Sequence, residues 1–414
     1  MTMREEIYQY MEDHMDELID LVCDLIQIPS ENPTGSQREV VDYVEQYLKN
    51  LGISFEEVTD NPEHPNIIAK IGSDEGYQLG WNGHLDVVPA GDRKQWKWNP
   101  FSGEVTDTQI LGRGTSDMKS GIAGLLFATK IMKEMNVPMH GGITMHIVSD
   151  EESGSQYGTK WLAKNGYFKG LDGVIIGEPT SNWTIETGQK GQLHIELVAS
   201  GVCAHGSLAQ YKGENAILKL SRVINKLDGL SQIKGNIPED LKEAYQQSVW
   251  VDNQEIGVEG AGQVLEHVSC NVGVIQGGTA SNVVPDSCKA TIDCRLPYGV
   301  NHQEIIDFLD SIMEHGVTYS LDWVSEASIT RNDCDLVKSL QKNAEDIWNI
   351  KVYPAWQWAC SDARLYRLKG IDTLQYGPSN TEGIHAPNEN VDIEDVKNAA
   401  RVYVRTFCDL MEVE

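Results

Sequence analysis

The strongest constraint on this chain is where its polar residues stand relative to its apolar runs. Residues 66–71, 77–83, 143–149 and 173–177 read as short strands, separated by stretches with apolar residues at helical spacing. Helices are predicted at about 4–27, where Ile7, Met11, Met15, Leu18, Val22 and Leu25 share a face, and at about 36–51, 121–135 and 159–165. Strands alternating with helices fold into a largely parallel α/β sheet. In such an open sheet the loops beyond the carboxyl ends of the strands converge on one crevice. Polar residues that follow different strands can therefore meet, although the sequence keeps them far apart.

The pattern changes after Gly188. Residues 192–200 place Leu193, Ile195, Leu197 and Ala199 alternately with mostly polar neighbours, a half-exposed strand. A helix at about 214–229, strands at about 266–276 and 284–295, a helix at about 302–315 and a strand at about 317–324 follow. That order is β-α-β-β-α-β, the ferredoxin-like arrangement. Residues 189–326 are expected to form a small α+β domain inserted into a discontinuous first domain, 1–188 and 327–414. A helix at about 333–348, a strand near 371–376 and a helix at about 392–411 complete the first domain. Residues 231–265 form a long connection with one possible helix and no assigned role.

A length of 414 residues exceeds one ordinary core and agrees with two domains. The formal net charge of −29 excludes the basic surface that nucleic acids and anionic membranes require, so neither is an expected partner. It also means that an anionic substrate needs local Arg or Lys. No run of eighteen apolar residues occurs, and the acidic, amphipathic first residues do not resemble a signal peptide, so a cytoplasmic location is expected. The eight cysteines form no CxxC pair and read as reduced, mostly buried thiols.

Five short stretches carry the chemistry: Gly83-His84-Leu85-Asp86, Ser116-Asp117-Met118-Lys119, Asp150-Glu151-Glu152-Ser153, Gly177-Glu178-Pro179 and Ile384-His385-Ala386-Pro387. Four of them follow an apolar β-like run or sit just beyond one. Two His with three or four carboxylates are a ligand set that Zn²⁺ accepts. In His84-Leu85-Asp86 the two polar residues point to one side of an extended segment, so Asp86 can orient the imidazole; a plain polar pair at a strand end is the alternative. The turn Leu111-Gly112-Arg113-Gly114-Thr115-Ser116 lacks the rest of any phosphate-loop pattern and instead allows a tight path that delivers Asp117. Asp117 either bridges two cations or caps the helix that follows. Adjacent acids at 150–152 repel unless cations neutralise them, though a solvated acidic turn would look the same.

The segments GWNGHLDVV, GRGTSDMKSGIAG, VSDEESGS, GEPT and GIHAPNE, in this order, resemble the metal-site motifs of the dinuclear zinc aminoacylase / acetylornithine deacetylase / succinyl-diaminopimelate desuccinylase / carboxypeptidase G family. The resemblance covers nearly the whole chain. It implies a zinc-peptidase-like catalytic domain with a mostly parallel central sheet and an inserted ferredoxin-like lid and dimerisation domain. It implies two Zn²⁺ per chain, with Co²⁺ or Mn²⁺ as substitutes. His84 and Glu178 would hold one ion, Glu152 and His385 the other, and Asp117 both. Glu151 would be the general base and Asp86 the residue that orients His84. A cis peptide at Asp117-Met118 is implied as well. Gly201-Val202-Cys203-Ala204-His205-Gly206-Ser207 resembles the segment of the family's lid histidine, so His205 would serve catalysis across a homodimer interface. Asn282, Arg295, Ser361 and Arg364 lie in segments that resemble substrate contacts, with Arg295 a fork for a carboxylate.

The reading that follows is a metal-dependent amide hydrolase acting on a small anionic amino-acid derivative, with removal of an acyl group from an N-acyl amino acid as its leading form. A carboxypeptidase or dipeptidase with the same machinery is the alternative; Glu rather than Asp at position 178 favours the deacylase by family tendency. A non-catalytic dimer that binds amino-acid derivatives would be expected to lack the base or a ligand. Both are present here.

Overall fold

The computed structural model describes residues 2–414, which divide into two compact units. The first comprises residues 2–187, Ile329–Ala355 and Ser361–Glu414; the second comprises Gly188–Ser328 and Trp356–Cys360.

In the first unit the central sheet runs in the order Phe55–Val58, Asn66–Gly72, Gly141–Val148, Tyr77–His84, Gly173–Ile176, Asp372–Gln375 and Thr184–Gln189. The three neighbouring pairs from Gly141–Val148 to Asp372–Gln375 are parallel. The register places His84 opposite Val148, and Asn82 opposite Ile176. The chain beyond each of these strands therefore leaves the sheet at the same edge. That edge is where His84, Glu151, Glu152 and Glu178 stand.

Helix Lys119–Glu134 is buried on every side from Lys119 to Met132, which explains its run of small and apolar residues. Its first turn lies directly on the strand that leads to Glu178. A Cβ added at Gly121 would come within 1.9 Å of the Gly177 carbonyl oxygen, so only glycine allows that approach. Helices Met15–Gln27, Asp335–Trp348 and Ile393–Leu410 add to the apolar cluster around it, with Leu25, Leu340 and Phe407 fully buried.

The single helix predicted over 4–27 is two, Met3–Asp13 and Met15–Gln27. His14 interrupts it: its ring stacks on Tyr10 and Nδ1 contacts the Tyr10 carbonyl at 2.7 Å, while its backbone leaves the helical region. Among the described residues all eight cysteines are free, but only Cys288, Cys294 and Cys408 are buried; Cys203 is exposed.

The second unit holds a four-stranded antiparallel sheet in the order Ser269–Gly277, Ser287–Leu296, Gly191–Ser200 and Val317–Ser325. One face of it, with Leu193, Ile195, Leu197, Ala290 and Ile292, packs on Leu220 and Val223 of helix Ala216–Ile224 and on Ile305 and Leu309 of helix His302–Ile312. The connection 231–265 contains helix Lys242–Ile256. That helix explains why Trp356–Cys360, expected in the first domain, clusters here instead. Ser248 Oγ accepts from Trp356 N at 2.9 Å, and Gln357 Nε2 donates to Glu255 Oε2 at 2.9 Å.

Candidate metal centre

The site assembles on the carboxyl edge of the first unit's sheet. His84 ends its strand and is buried. Its Nδ1 is 2.8 Å from the main-chain oxygen of Asp86, which leaves Nε2 directed at Asp117 Oδ1 (3.1 Å) and Glu178 Oε1 (3.6 Å). The Asp86 carboxylate is 3.5 Å from Nδ1, so the closer orienting contact comes from the Asp86 main chain rather than its side chain. The carboxylate instead accepts from Asn32 Nδ2 at 2.8 Å and from the main-chain N–H groups of Glu151 and Glu152.

Asp117 is not the cap of the following helix: Met118 occupies that position and no side chain caps the helix. The Asp117–Met118 peptide is cis. Asp117 offers one oxygen to each histidine, Oδ1 to His84 Nε2 at 3.1 Å and Oδ2 to His385 Nε2 at 3.0 Å. His385 Nε2 is also 3.3 Å from Glu152 Oε1. Donor atoms of His84, Glu151 and Glu178 lie within 4.8 Å of one another, and so do those of His84, Asp117 and Glu152. Asp150, the first acid of its cluster, holds the loop instead. It accepts from Ser153 Oγ at 2.6 Å and from Tyr157 N at 2.7 Å.

The electrostatics are those of carboxylates packed without enough counter-charge. Burial and then Asp117 push Glu178 up to about 7. Burial, then Glu178 and Asp362, push Glu151 well above the ordinary carboxylate range. Hydrogen bonds to Asp117 and Glu152 lift His385 to about 10. Burial opposes the charge on His84, yet Glu178, Asp117 and Asp86 hold its pKa well above the ordinary value. Among the described residues His84 and His385 are the cationic partners of Asp117, Glu152 and Glu178. Two imidazoles and three or four converging carboxylates are the donors a pair of divalent cations takes, so the residues fit a dinuclear site.

The remaining expected site residues have local partners. Ser361 Oγ is bonded to Gln375, and Arg364 Nη1 donates to the Ser361 carbonyl; both residues are buried. In the second unit, His205 is exposed and its Nδ1 accepts from Ser207 N, while Asn282 O accepts from Gly206 N at 2.7 Å. Arg295 Nε donates to Asp293 Oδ2 at 2.9 Å.

Two residues near the site were not among the expected site residues. Asn32 lies in a stretch that reads only as turn formers, yet its Nδ2 reaches Asp86, Asp150 and Ser153. Asp362, beside Ser361 in a segment that resembles substrate contacts, accepts from Ser155 Oγ and faces Glu151.

The family model for peptidase family M20/M25/M40 matches residues 80–409. A probable succinyl-diaminopimelate desuccinylase of Staphylococcus epidermidis is 28% identical over 95% of this chain and 98% of its own. The succinyl-diaminopimelate desuccinylase of Hydrogenovibrio crunogenus is 29% identical over 96% of this chain and 100% of its own. The fold is similar to the M20 family metallo-carboxypeptidase Sso-CP2 of Sulfolobus solfataricus, with TM-score 0.81, 22% identity and coverage of 94% and 98%. It is also similar to human carnosine dipeptidase 1, with TM-score 0.78, 16% identity and coverage of 99% and 98%.

Proposed function

The chain belongs to peptidase family M20/M25/M40 and is a metal-dependent hydrolase of amide or peptide bonds, and we propose that it removes an acyl group from an N-acyl amino acid. The observation that carries the site reading is Asp117, whose two oxygens face two different histidines. That is the arrangement a carboxylate shared by two cations needs. His84 and Glu178 would hold one ion, Glu152 and His385 the other, and Asp117 would serve both. Zn²⁺ suits these donors, with Co²⁺ or Mn²⁺ able to replace it. When bound, the pair of ions supplies Lewis-acid polarisation of the amide carbonyl and a water of lowered pKa.

The protein's own groups move the proton. Glu151 takes it from the attacking water on a carboxylate oxygen and delivers it to the nitrogen of the leaving amine. Burial, then Glu178 and Asp362, raise its pKa, so it holds a proton more readily than a free carboxylate does. The Asp86 carboxylate holds the main chain of Glu151 and Glu152, so the base keeps its place beside the ligands. His205, Asn282, Arg295, Ser361 and Arg364 are proposed as substrate contacts on the strength of their motifs, and a homodimer through the second unit accompanies the proposed role of His205.

The desuccinylase relatives, aligned over nearly the full chain, support the deacylase form. A carboxypeptidase or dipeptidase using the same residues is the second reading, supported by the fold shared with enzymes so named. A panel of N-acetyl and N-succinyl amino acids, Xaa-Gly dipeptides and longer peptides, incubated with zinc-loaded protein and followed by amine release, separates them. Release from the acyl compounds alone supports the deacylase; release from the peptides alone replaces it with the peptidase.

A further inference from the structure

Outside the proposed ligands and base, the first unit buries one ion pair that touches both of the loops bearing Asp117 and His385. Glu389 and Arg113 are 0% and 2% exposed, and Arg113 Nη1 is bonded to Glu389 Oε2. Glu389 Oε1 accepts three main-chain N–H groups, from Gly114 (3.1 Å), Ser116 (2.8 Å) and Asp117 (3.2 Å). The second arm of the guanidinium, Nη2, donates to the main-chain oxygen of His385 at 3.3 Å. The guanidinium also lies over the Trp96 ring, 5.3 Å from its centroid.

We propose that the Arg113–Glu389 pair is a positioning device that sets the separation of His385 and Asp117 and so fixes the affinity of the His385 metal site. The inference rests on the two-metal reading above. His385 needs outside support. It is exposed, its backbone is left-handed (φ 60°), and among the described residues the hydrogen bond to its main chain is the one from Arg113. Asp117 needs support of a different kind, because its loop turns three N–H groups inward to one point. A single carboxylate oxygen at that point gathers them and stops the loop from rotating the Asp117 side chain away.

The residue types follow from these demands. A buried carboxylate requires a counter-charge, and the counter-charge must also reach the His385 carbonyl. Only a planar fork with two separated donor arms does both; a lysine ammonium is a point charge on a flexible stem. The antiparallel pairing of Gln109–Leu111 with Asn390–Asp392 closes the same unit from behind. Neither Arg113 nor Glu389 contacts the reacting groups, so both act through the ligands they hold.

The test is stepwise Zn²⁺ binding to the metal-free full chain, read by competition with a chromophoric chelator. The proteins are wild type, Glu389→Gln, Arg113→Lys and His385→Ala, with circular dichroism to establish that each is folded. Wild type is expected to bind in two steps, and His385→Ala to lose one. Arg113→Lys is expected to weaken that same step roughly 10–100-fold and the other far less, the usual effect of removing a group that orients a ligand, while Glu389→Gln also frees the loop of Asp117, a ligand of both ions, and is expected to weaken both steps. Wild-type affinity for that step in either folded variant overturns the proposal, and so does equal weakening of both steps in Arg113→Lys. If Glu389→Gln does not fold, Arg113→Lys decides alone. If His385→Ala binds zinc as wild type does, the two-metal reading itself fails and takes the proposal with it.

Discussion

The carboxylate of Asp86 accepts a hydrogen bond from the main-chain N–H of Glu152 at 3.1 Å, with Glu151 N on its other oxygen at 3.2 Å. The acid that follows the His84 strand thus fixes the loop that follows the neighbouring strand. His84 itself is oriented chiefly by the Asp86 carbonyl, which no substitution at position 86 removes. Asp86→Asn is therefore expected to leave the His84-bound metal in place while turning a donor amide toward these N–H groups. Activity should fall roughly 10–100-fold, mainly in kcat. Steady-state kinetics with metal analysis checks it; loss of the His84-bound metal would instead place the side chain's importance at the histidine.

Protons and cations compete for this site. In the metal-free protein Asp117 and Glu152 lift His385 to about 10, and burial with Asp117 lifts Glu178 to about 7. Both groups must shed a proton to bind a cation, so binding releases protons and tightens as pH rises. Glu178 gives up its proton across pH 6 to 8, and His385 continues to pay the deprotonation penalty up to about 10. Zinc affinity at pH 8 should exceed that at pH 6 by at least about tenfold. Titrations at the two pH values, in buffers of different ionisation enthalpy, measure both the affinity and the protons released. Equal affinities with no proton release would contradict the expected ligation.

The second unit carries a burden of its own. Asp252 is buried on helix Lys242–Ile256 with no hydrogen-bond partner among the described residues, and burial followed by Glu255 pushes its pKa up to about 8. Between pH 4 and 8 the unfolded chain ionises this carboxyl while the folded protein keeps it protonated, so folding stability falls as pH rises through that window. Asp252→Asn removes the dependence. It should stabilise the protein at pH 9 by on the order of 1–3 kcal/mol and change little at pH 4. Urea unfolding at both pH values decides it; no gain at pH 9 would mean that the carboxylate finds a partner when charged.

Much of this arrangement was legible from local patterns, and the reasons are physical. His84, Glu152 and Glu178 stand just past apolar strands, so the sheet that gathers them announces itself. In the second unit, strand Gly191–Ser200 alternates, with Leu193, Ile195 and Leu197 inward, because one face is covered and the other is not. Strand Thr184–Gln189 went unread: it is buried throughout, yet TIETGQ shows neither alternation nor an apolar run. Pairings between distant segments were equally silent. Nothing near Arg113 points to Glu389, and nothing near Asn32 points to Asp86. The segment 356–360 joins the second unit through Ser248 and Glu255, residues in a stretch that had no assigned role.

The most direct test of the account is Glu151→Gln, with metal content and turnover measured on the same sample. Glu151 stands close enough to His84 and Glu178 to be either a ligand or the base. As the base, Glu151 is dispensable for metal binding: the variant should retain two metal ions per chain while kcat falls roughly 10²–10⁴-fold. Loss of a metal ion, or turnover at the wild-type rate with both ions bound, would contradict it.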